Sequence, residues 1–182
     1  EKFQSDEANA EDACDLKIVA DHIAEAGDKK WAKKVYKKAE EKARDSLDFN
    51  WLAYSIAKIL GDTNWARSTY TKAEGKSESS LELNWLAYSI FETLHDKEWA
   101  KQLYEKAANM PGNIRELCDL ADSIHETLGE VHWVKKIYHL AEEKVEEYSD
   151  CHELADVIYK KLGDKEKPRE LYKKAEDKAT DG

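Results

Sequence analysis

The sequence repeats itself with a 34-residue period. A tyrosine recurs at that spacing in five related stretches, the first of which reads WAKKVYKKAEEKA and begins at Trp31. The tyrosines are Tyr36, Tyr70, Tyr104, Tyr138 and Tyr172. A fixed period of this length is typical of helical repeats, in which each unit buries its apolar side only against its neighbours. We therefore expect a repetitive fold with no single central core.

Each repeat carries two apolar stripes at helical spacing. In the second repeat the first stripe consists of Leu52, Ala53, Ile56 and Leu60, and in the first repeat the second stripe consists of Trp31, Val35, Tyr36 and Ala39. Apolar residues at this spacing indicate an amphipathic helix. The sequence thus predicts an all-α fold, an α-solenoid of five antiparallel helical hairpins with a 34-residue period.

Turn and capping signals separate the predicted helices. We expect each first helix to end in a left-handed residue followed by an acid that caps the next helix. The candidates for the left-handed position are Gly27, Gly61, His95, Gly129 and Gly163. Capping boxes are predicted at the starts of three first helices, at Ser79/Glu82, Asn113/Glu116 and Asp150/Glu153.

These signals predict one repeat domain over residues 12–180. Its five segments are approximately 12–45, 46–78, 79–111, 112–147 and 148–180, and residues 181–182 form a tail. Residues 1–11 are acidic and are interpreted either as a flexible lead-in or as the remnant of an upstream helix, because Phe3 precedes Tyr36 by nearly one full period.

Composition excludes several classes of function. The net charge of −10 argues against direct nucleic-acid binding, which needs a concentrated basic face. No apolar run approaches the ~18 residues that a membrane span needs. The three cysteines show no CxxC spacing, so we expect a reducing, cytoplasmic location. The first residue is Glu1, which leaves a removed leader open.

The pattern Ala20-x6-Gly27-Asp28-x3-Ala32-x3-Tyr36-x2-Ala39 resembles the tetratricopeptide repeat. The second and third repeats also resemble the half-a-TPR variant, with Trp51-x-x-Tyr54 and Trp85-x-x-Tyr88 ahead of the core motif. This resemblance implies a non-enzymatic scaffold for protein–protein interaction whose first helices line a concave groove.

A second face of the predicted first helices, rotated away from the apolar stripe, follows the spacing i, i+4, i+7. Aromatic and amide side chains in repeats two and three, with charged ones in repeats four and five, predict a site for a basic peptide or helical segment. The predicted partner-binding residues are Asn50, Tyr54, Asn84, Tyr88, Phe91, Asp122, His125, Glu126, His152, Asp156 and Tyr159.

Three alternatives remain open at this point. The tryptophans beside each turn, Trp31, Trp65, Trp99 and Trp133, are interpreted mainly as core residues that seal the hairpin ends, and otherwise as a ladder for a partner. The chain is alternatively a structural solenoid that self-associates through its end repeats. A metal site is a further alternative, with candidate ligands Cys118, Asp122, His125, His152 and Asp156. No catalytic motif is present, so neither an enzyme nor a cofactor is expected.

Overall fold

A computed structural model describes residues 2–145, 148–163 and 165–180. Within these residues the chain is all-helical and contains no β-strand. It forms eleven α-helices and one π-helical segment in this described part: α1 Lys2–Asn9, α2 Ala13–Glu25, α3 Lys29–Lys42, α4 Ser46–Ser55, the π-helical segment Ile56–Leu60, α5 Thr63–Lys76, α6 Ser80–Leu94, α7 Lys97–Ala108, α8 Ile114–Leu128, α9 Val131–Glu143, α10 Tyr148–Leu162 and α11 Glu166–Thr180.

The chain forms two compact units, each with its own core. Unit 1 comprises Glu1–Glu78 and Trp85–Leu103, and unit 2 comprises Ser79–Asn84 and Tyr104–Gly182. In unit 1, α2 packs against α3 and α4 against α5; in unit 2, α8 packs against α9 and α10 against α11. Consecutive helices therefore pair as helical hairpins, as the apolar stripes predict.

The predicted stripes form the cores of both units. In unit 1, Leu52, Ala53 and Ile56 are buried, and in unit 2, Leu120 and Ile124 are buried in the same way. Full burial of one such aliphatic side chain stabilises a protein by about 1.5–3 kcal/mol. The hairpins are thus held together by residues that recur along the sequence at the spacing of the tyrosines.

Residues 2–9, for which the sequence left two interpretations, form the helix α1. Its Phe3 ring meets the Trp31 indole edge-to-face, with the ring centroids 6.3 Å apart. Glu7 of the same helix accepts hydrogen bonds from Trp31 and Lys38. This segment is therefore helical and packed on α3, in contrast to a flexible lead-in.

The predicted turns are confirmed. Gly61 and Gly129 end their helices in the left-handed region, with φ of 73° and 67°. His95 occupies the equivalent position with φ of 55°, a conformation that costs a residue with a Cβ about 1–2 kcal/mol. Asp28, Asp62 and Asp96 cap the next helix, as shown by the Trp65 backbone N–H that donates to Asp62 at 3.2 Å. Glu130 occupies the same position but makes no side-chain capping hydrogen bond.

Two of the three predicted capping boxes are confirmed. Both reciprocal hydrogen bonds are present between Ser79 and Glu82, and between Asn113 and Glu116. The third prediction, Asp150/Glu153, is wrong, because α10 already begins at Tyr148 and Asp150 lies inside its first turn. A carboxylate there interacts favourably with the positive end of the helix without being its cap. The expected acid at residue 164 lies outside the described residues.

Candidate functional site

Tyrosine–indole joints connect successive hairpins within each unit. We use this term for an edge-to-face contact between two rings. One ring is the tyrosine on the second helix of a hairpin, and the other is the indole on the second helix of the following hairpin. Three joints of this kind are described: Tyr36 with Trp65 and Tyr70 with Trp99 in unit 1, and Tyr104 with Trp133 in unit 2, at centroid distances of 6.5, 6.4 and 6.5 Å. Aromatic pairs in this geometry contribute about 0.5–1.5 kcal/mol beyond the area that they bury.

In unit 1 a carboxylate and a cation complete each joint. The Trp65 indole N–H donates to Glu40 at 3.0 Å, while the Lys33 ammonium lies 5.4 Å above the Trp65 ring. Burial disfavours the charged form of Glu40, yet hydrogen bonds from Lys72, Trp65 and Thr69 hold the pKa of its carboxyl below the ordinary value. The Trp65 indole thus contacts the Tyr36 ring edge-to-face, the Lys33 ammonium above its ring and the Glu40 carboxylate through its N–H.

The second joint of unit 1 has the same composition. The Trp99 N–H donates to Glu74 at 2.9 Å, and the Arg67 guanidinium lies 5.2 Å above the Trp99 ring. These tryptophans therefore stabilise the contact between hairpins. The interpretation of the tryptophans as core residues is supported in part, because all four are half-buried. The rings of Trp65, Trp99 and Trp133 meet the tyrosine of the preceding hairpin, and Trp31 meets Phe3.

Two of the predicted partner-binding residues are placed differently from the prediction. Asn50 and Asn84 are each only 2% exposed, so the expectation that they lie on a binding surface is wrong. Their amide oxygens accept no hydrogen bond within the described residues. One step of about 100° around a helix separates a surface position from a buried one, and both asparagines fall on the buried side.

The charged residues predicted in unit 2 make contacts within the protein. Asp122 accepts a hydrogen bond from the Tyr138 hydroxyl at 3.1 Å and pairs with the Lys161 ammonium at 2.9 Å, which raises the pKa of Lys161. Asp156 accepts a hydrogen bond from the Tyr172 hydroxyl. Both carboxylates connect helices of unit 2. The charge of Asp122 is paired with Lys161, whereas Asp156 is exposed and keeps its charge, because the hydroxyl that it binds is neutral.

The other predicted residues of unit 2 differ in their exposure. His125 and His152 are half-buried, and the His152 ring lies 5.0 Å from the Tyr172 ring. Glu126 is exposed and lies 3.8 Å from Lys161, and Tyr159 is 51% exposed. In unit 1, Phe91 is half-buried, with the Lys97 ammonium 6.0 Å above its ring.

The structure gives the metal-site alternative no support. Cys118 is buried, and burial with the nearby carboxylates of Glu153 and Asp122 raises the pKa of its thiol to about 12. A metal ligand has to be a thiolate, which this environment disfavours. Among the described residues, no three histidine, cysteine or acidic side chains are placed to bind one ion.

Unit 1 exposes four large aromatic side chains. Trp51 and Tyr54 on α4 are 48% and 38% exposed, and Trp85 and Tyr88 on α6 are 43% and 38% exposed. We call these four residues the aromatic surface. The sequence prediction included the two tyrosines and omitted the two tryptophans. The sequence contains a signal for the exposure of these tryptophans: Trp51 and Trp85 directly precede the apolar stripe and lie outside it.

An ion pair links the two halves of the aromatic surface. Lys58, in the π-helical segment, lies 5.9 Å above the Tyr54 ring and 3.8 Å from Glu92 of α6. Residues four positions apart share a helix face, so Lys58 lies beside Tyr54 and Glu92 beside Tyr88. The aromatic residues of the two helices thus form neighbouring rows on one side of unit 1.

A hydrophobic residue extends these rows onto α2. Ile18 is 44% exposed and occupies in the first repeat the position that Trp51 and Trp85 hold in the next two. The Ser55 hydroxyl donates to Asp21 at 3.4 Å, which places α2 beside α4. In unit 2 the corresponding positions are Asp119 and Glu153, so this position of the repeat is apolar in unit 1 and acidic in unit 2.

Helices that are long and apolar enough to cross a membrane are absent from the described residues. The resemblance to tetratricopeptide and half-a-TPR repeats stays a prediction that rests on the quoted motifs. Comparison with known proteins adds no family, since no family model, curated protein or solved structure matches this chain.

Proposed function

We propose that this protein is a non-catalytic protein-binding module whose aromatic surface binds a basic peptide or helical segment. The observation that carries the proposal is the exposure of Trp51, Tyr54, Trp85 and Tyr88 on neighbouring helices of one unit. Tryptophan and tyrosine are the residues most enriched among those that dominate binding energy at protein interfaces. A cluster of them with no part in the core is costly to keep in water, and contact with a partner relieves that cost.

The rigidity of the surface favours a specific partner. Each aromatic side chain projects from a helix whose opposite face is buried, so the rings lose little conformational freedom on binding. Trp51 stands three positions before Tyr54, and Trp85 three before Tyr88, which places two rings on the same side of each helix. Apolar anchors of a partner can therefore insert between preformed rows.

The charge of the protein favours a basic partner. The net charge of −10 raises the local concentration of cations, which speeds the approach of a basic segment. Tryptophan and tyrosine faces also attract lysine and arginine, as Lys58 above the Tyr54 ring illustrates within the chain. A segment that alternates apolar and basic side chains matches both properties.

We propose further that the five hairpins belong to one solenoid with a 34-residue period and that the first helices line its concave side. The recurrence of the same joint residues supports this arrangement. The partner-binding role is proposed for unit 1, because the carboxylates predicted for it in unit 2 are engaged with Tyr138, Lys161 and Tyr172.

A peptide-display selection against the intact protein tests the function. We expect it to enrich peptides that combine apolar anchors with lysine or arginine. Their affinity, measured by fluorescence anisotropy, should fall by about tenfold or more in Tyr54→Ala/Tyr88→Ala, since ~2 kcal/mol is an ordinary loss at anchor residues. Thermal unfolding of the same variant should be nearly unchanged.

Leu140→Ala is the matched control. Leu140 is 38% exposed, as both tyrosines are, but it lies on α9 of unit 2. Its removal should leave the selected peptides bound with unchanged affinity. Enrichment of acidic peptides, or equal affinity for the double tyrosine variant, contradicts the proposal. Light scattering distinguishes self-association, in which the protein alone forms concentration-dependent oligomers.

A further inference from the structure

Unit 2 contains a cavity beside the second-helix tyrosine Tyr138. It has a volume of about 200 Å³ and lies between α9, α10 and the start of α11. Tyr138, Ile158 and Leu162 form its apolar walls, and Lys135, His139 and Lys167 surround them. Lys135 and His139 are exposed, so the cavity opens to solvent and a ligand can reach its apolar walls.

The cavity lies where the other hairpins place an indole. The tryptophan of each joint follows its tyrosine at a constant distance in the sequence, as in Tyr36 with Trp65 and Tyr70 with Trp99. The residue at the same distance from Tyr138 is Lys167. A lysine supplies no ring, so among the described residues no indole meets Tyr138 edge-to-face.

The other groups that hold an indole in unit 1 have counterparts on α9 at the same sequence spacing from Tyr138. The carboxylate that accepts the indole N–H stands four positions after the tyrosine, and Glu142 corresponds in this way to Glu40 and Glu74. The cation that covers the ring stands three positions before the tyrosine, and Lys135 corresponds to Lys33 and Arg67.

Lys167 replaces only the polar part of the missing tryptophan. Its ammonium lies 2.8 Å from the Glu142 carboxylate. Burial disfavours the charged form of Glu142, but the hydrogen bond from Lys167 lowers the pKa of this carboxyl. In unit 1, Glu40 accepts from both the Lys72 ammonium and the Trp65 N–H, so one such carboxylate serves a lysine and an indole together.

We propose that this cavity binds an indole ring, with Tyr138 at its edge, Lys135 above its face and Glu142 as the acceptor of its N–H. An apolar cavity of ~150 Å³ is large enough to bind benzene, so the space beside Tyr138 suits a larger ring. The ligand class is a planar bicyclic aromatic with one N–H donor, which is either a free indole compound or the tryptophan side chain of a peptide.

NMR titration of the intact, ¹⁵N-labelled protein with indole tests the proposal. We expect saturable shifts of the backbone amides around Tyr138 and Ile158, and none around Tyr36 or Tyr70, where the chain supplies its own indole. Benzothiophene, which has the same shape but no N–H, should bind several-fold more weakly because it forms no hydrogen bond with Glu142. Absence of saturable shifts, shifts elsewhere, or equal binding of both compounds overturns the proposal.

Lys167→Trp fills the cavity from within the chain. We expect it to raise the unfolding temperature and to weaken indole binding by about tenfold or more, whereas Lys165→Ala on the exposed turn should change neither. Unchanged indole binding in a folded Lys167→Trp protein overturns the assignment. If that variant does not fold, the shift map of the unmodified protein decides alone.

N-acetyltryptophanamide distinguishes the two sources of the ring. Binding of this compound with the same shift pattern supports the tryptophan side chain of a peptide as the ligand. Binding of indole with exclusion of N-acetyltryptophanamide supports a free indole compound, because the acetyl and amide groups mimic a peptide chain.

Discussion

The two units use one repeat to build different surfaces. Where unit 1 exposes Trp51 and Tyr54, unit 2 carries Asp119 and Asp122 at the corresponding positions. Where the Trp65 indole of unit 1 packs against Tyr36, unit 2 leaves a cavity of about 200 Å³ beside Tyr138. The buried stripe is nearly the same in both units, so the repeat keeps the fold while the outward positions and the joints vary.

This difference shows which positions of the repeat are constrained by packing. A residue such as Ile56 or Ile124 is surrounded by protein, and any change of its volume alters the core. Trp51 and Asp119 face water, so the fold tolerates either. A function of unit 1 can therefore depend on exposed residues such as Trp51, which the fold does not require.

The largest effect is expected at the buried tyrosines of the joints. Tyr70→Ala should lower the free energy of unfolding by about 3–5 kcal/mol, as truncations of large buried side chains do. Tyr138→Ala should cost about 1 kcal/mol less, because no indole packs against Tyr138. Chemical denaturation of both variants measures the difference. An equal or larger loss at Tyr138 than at Tyr70 would contradict the expected contribution of the indole.

Trp65 and Trp51 of unit 1 are expected to contribute differently to stability. Trp65→Ala removes the ring contact with Tyr36 and leaves Glu40 without its indole donor, so we expect a loss of about 3 kcal/mol. Trp51→Ala should change stability by only about 0.5 kcal/mol, since the side chain is 48% exposed. Similar losses in urea unfolding would show that Trp51 belongs to the core.

A smaller gain is expected at the turn between α6 and α7. His95 adopts the left-handed conformation that glycine adopts at Gly61 and Gly129. His95→Gly removes this strain, and the greater freedom of glycine in the unfolded chain offsets part of the gain. We expect a net stabilisation of up to about 1 kcal/mol, measured as a higher melting temperature. A lower melting temperature would show that the imidazole has a stabilising role.

The smallest effect is a dependence of stability on pH. The pKa of Glu40 is lower in the folded chain than its ordinary value, so its carboxylate stabilises the fold above that value. This contribution is lost as the pH falls from the ordinary value through the lowered one. Glu40→Gln should therefore lose stability at neutral pH and show a flatter decline below about pH 4.5 in urea unfolding. If the free energy of unfolding depends on acidic pH as it does in the unmodified protein, the Glu40 carboxylate does not stabilise the joint.

Much of the local structure is predictable from the sequence. The stripe of Leu52 and Ile56, the turn at Gly61 and the left-handed His95 depend on neighbours within one helix or one turn. Such features follow from helical periodicity and from the conformational preferences of single residues, and they were for this reason correctly predicted. The helix start at Tyr148 was missed, because Asp150 and Glu153 have the spacing of a capping box although both lie inside the helix.

The candidate sites were predictable only in part, since they depend on contacts between hairpins. Asn50 and Trp51 are adjacent in the chain, and periodicity alone did not determine which of them faces a neighbouring helix. The sequence alone predicts Asp122 as a free surface charge, whereas in the structure it contacts Tyr138 and Lys161.

The sequence by itself determined that the chain is helical, that its motifs recur with a 34-residue period and which aliphatic stripes supply most of the cores. Tertiary structure alone decided that Trp65 packs on Tyr36, that Asn50 is buried, and that a cavity remains beside Tyr138. The physical reason is that these properties depend on different parts of the chain. Periodicity indicates the faces of one helix. Burial and cavities depend on side chains of different hairpins, which meet only when those hairpins pack.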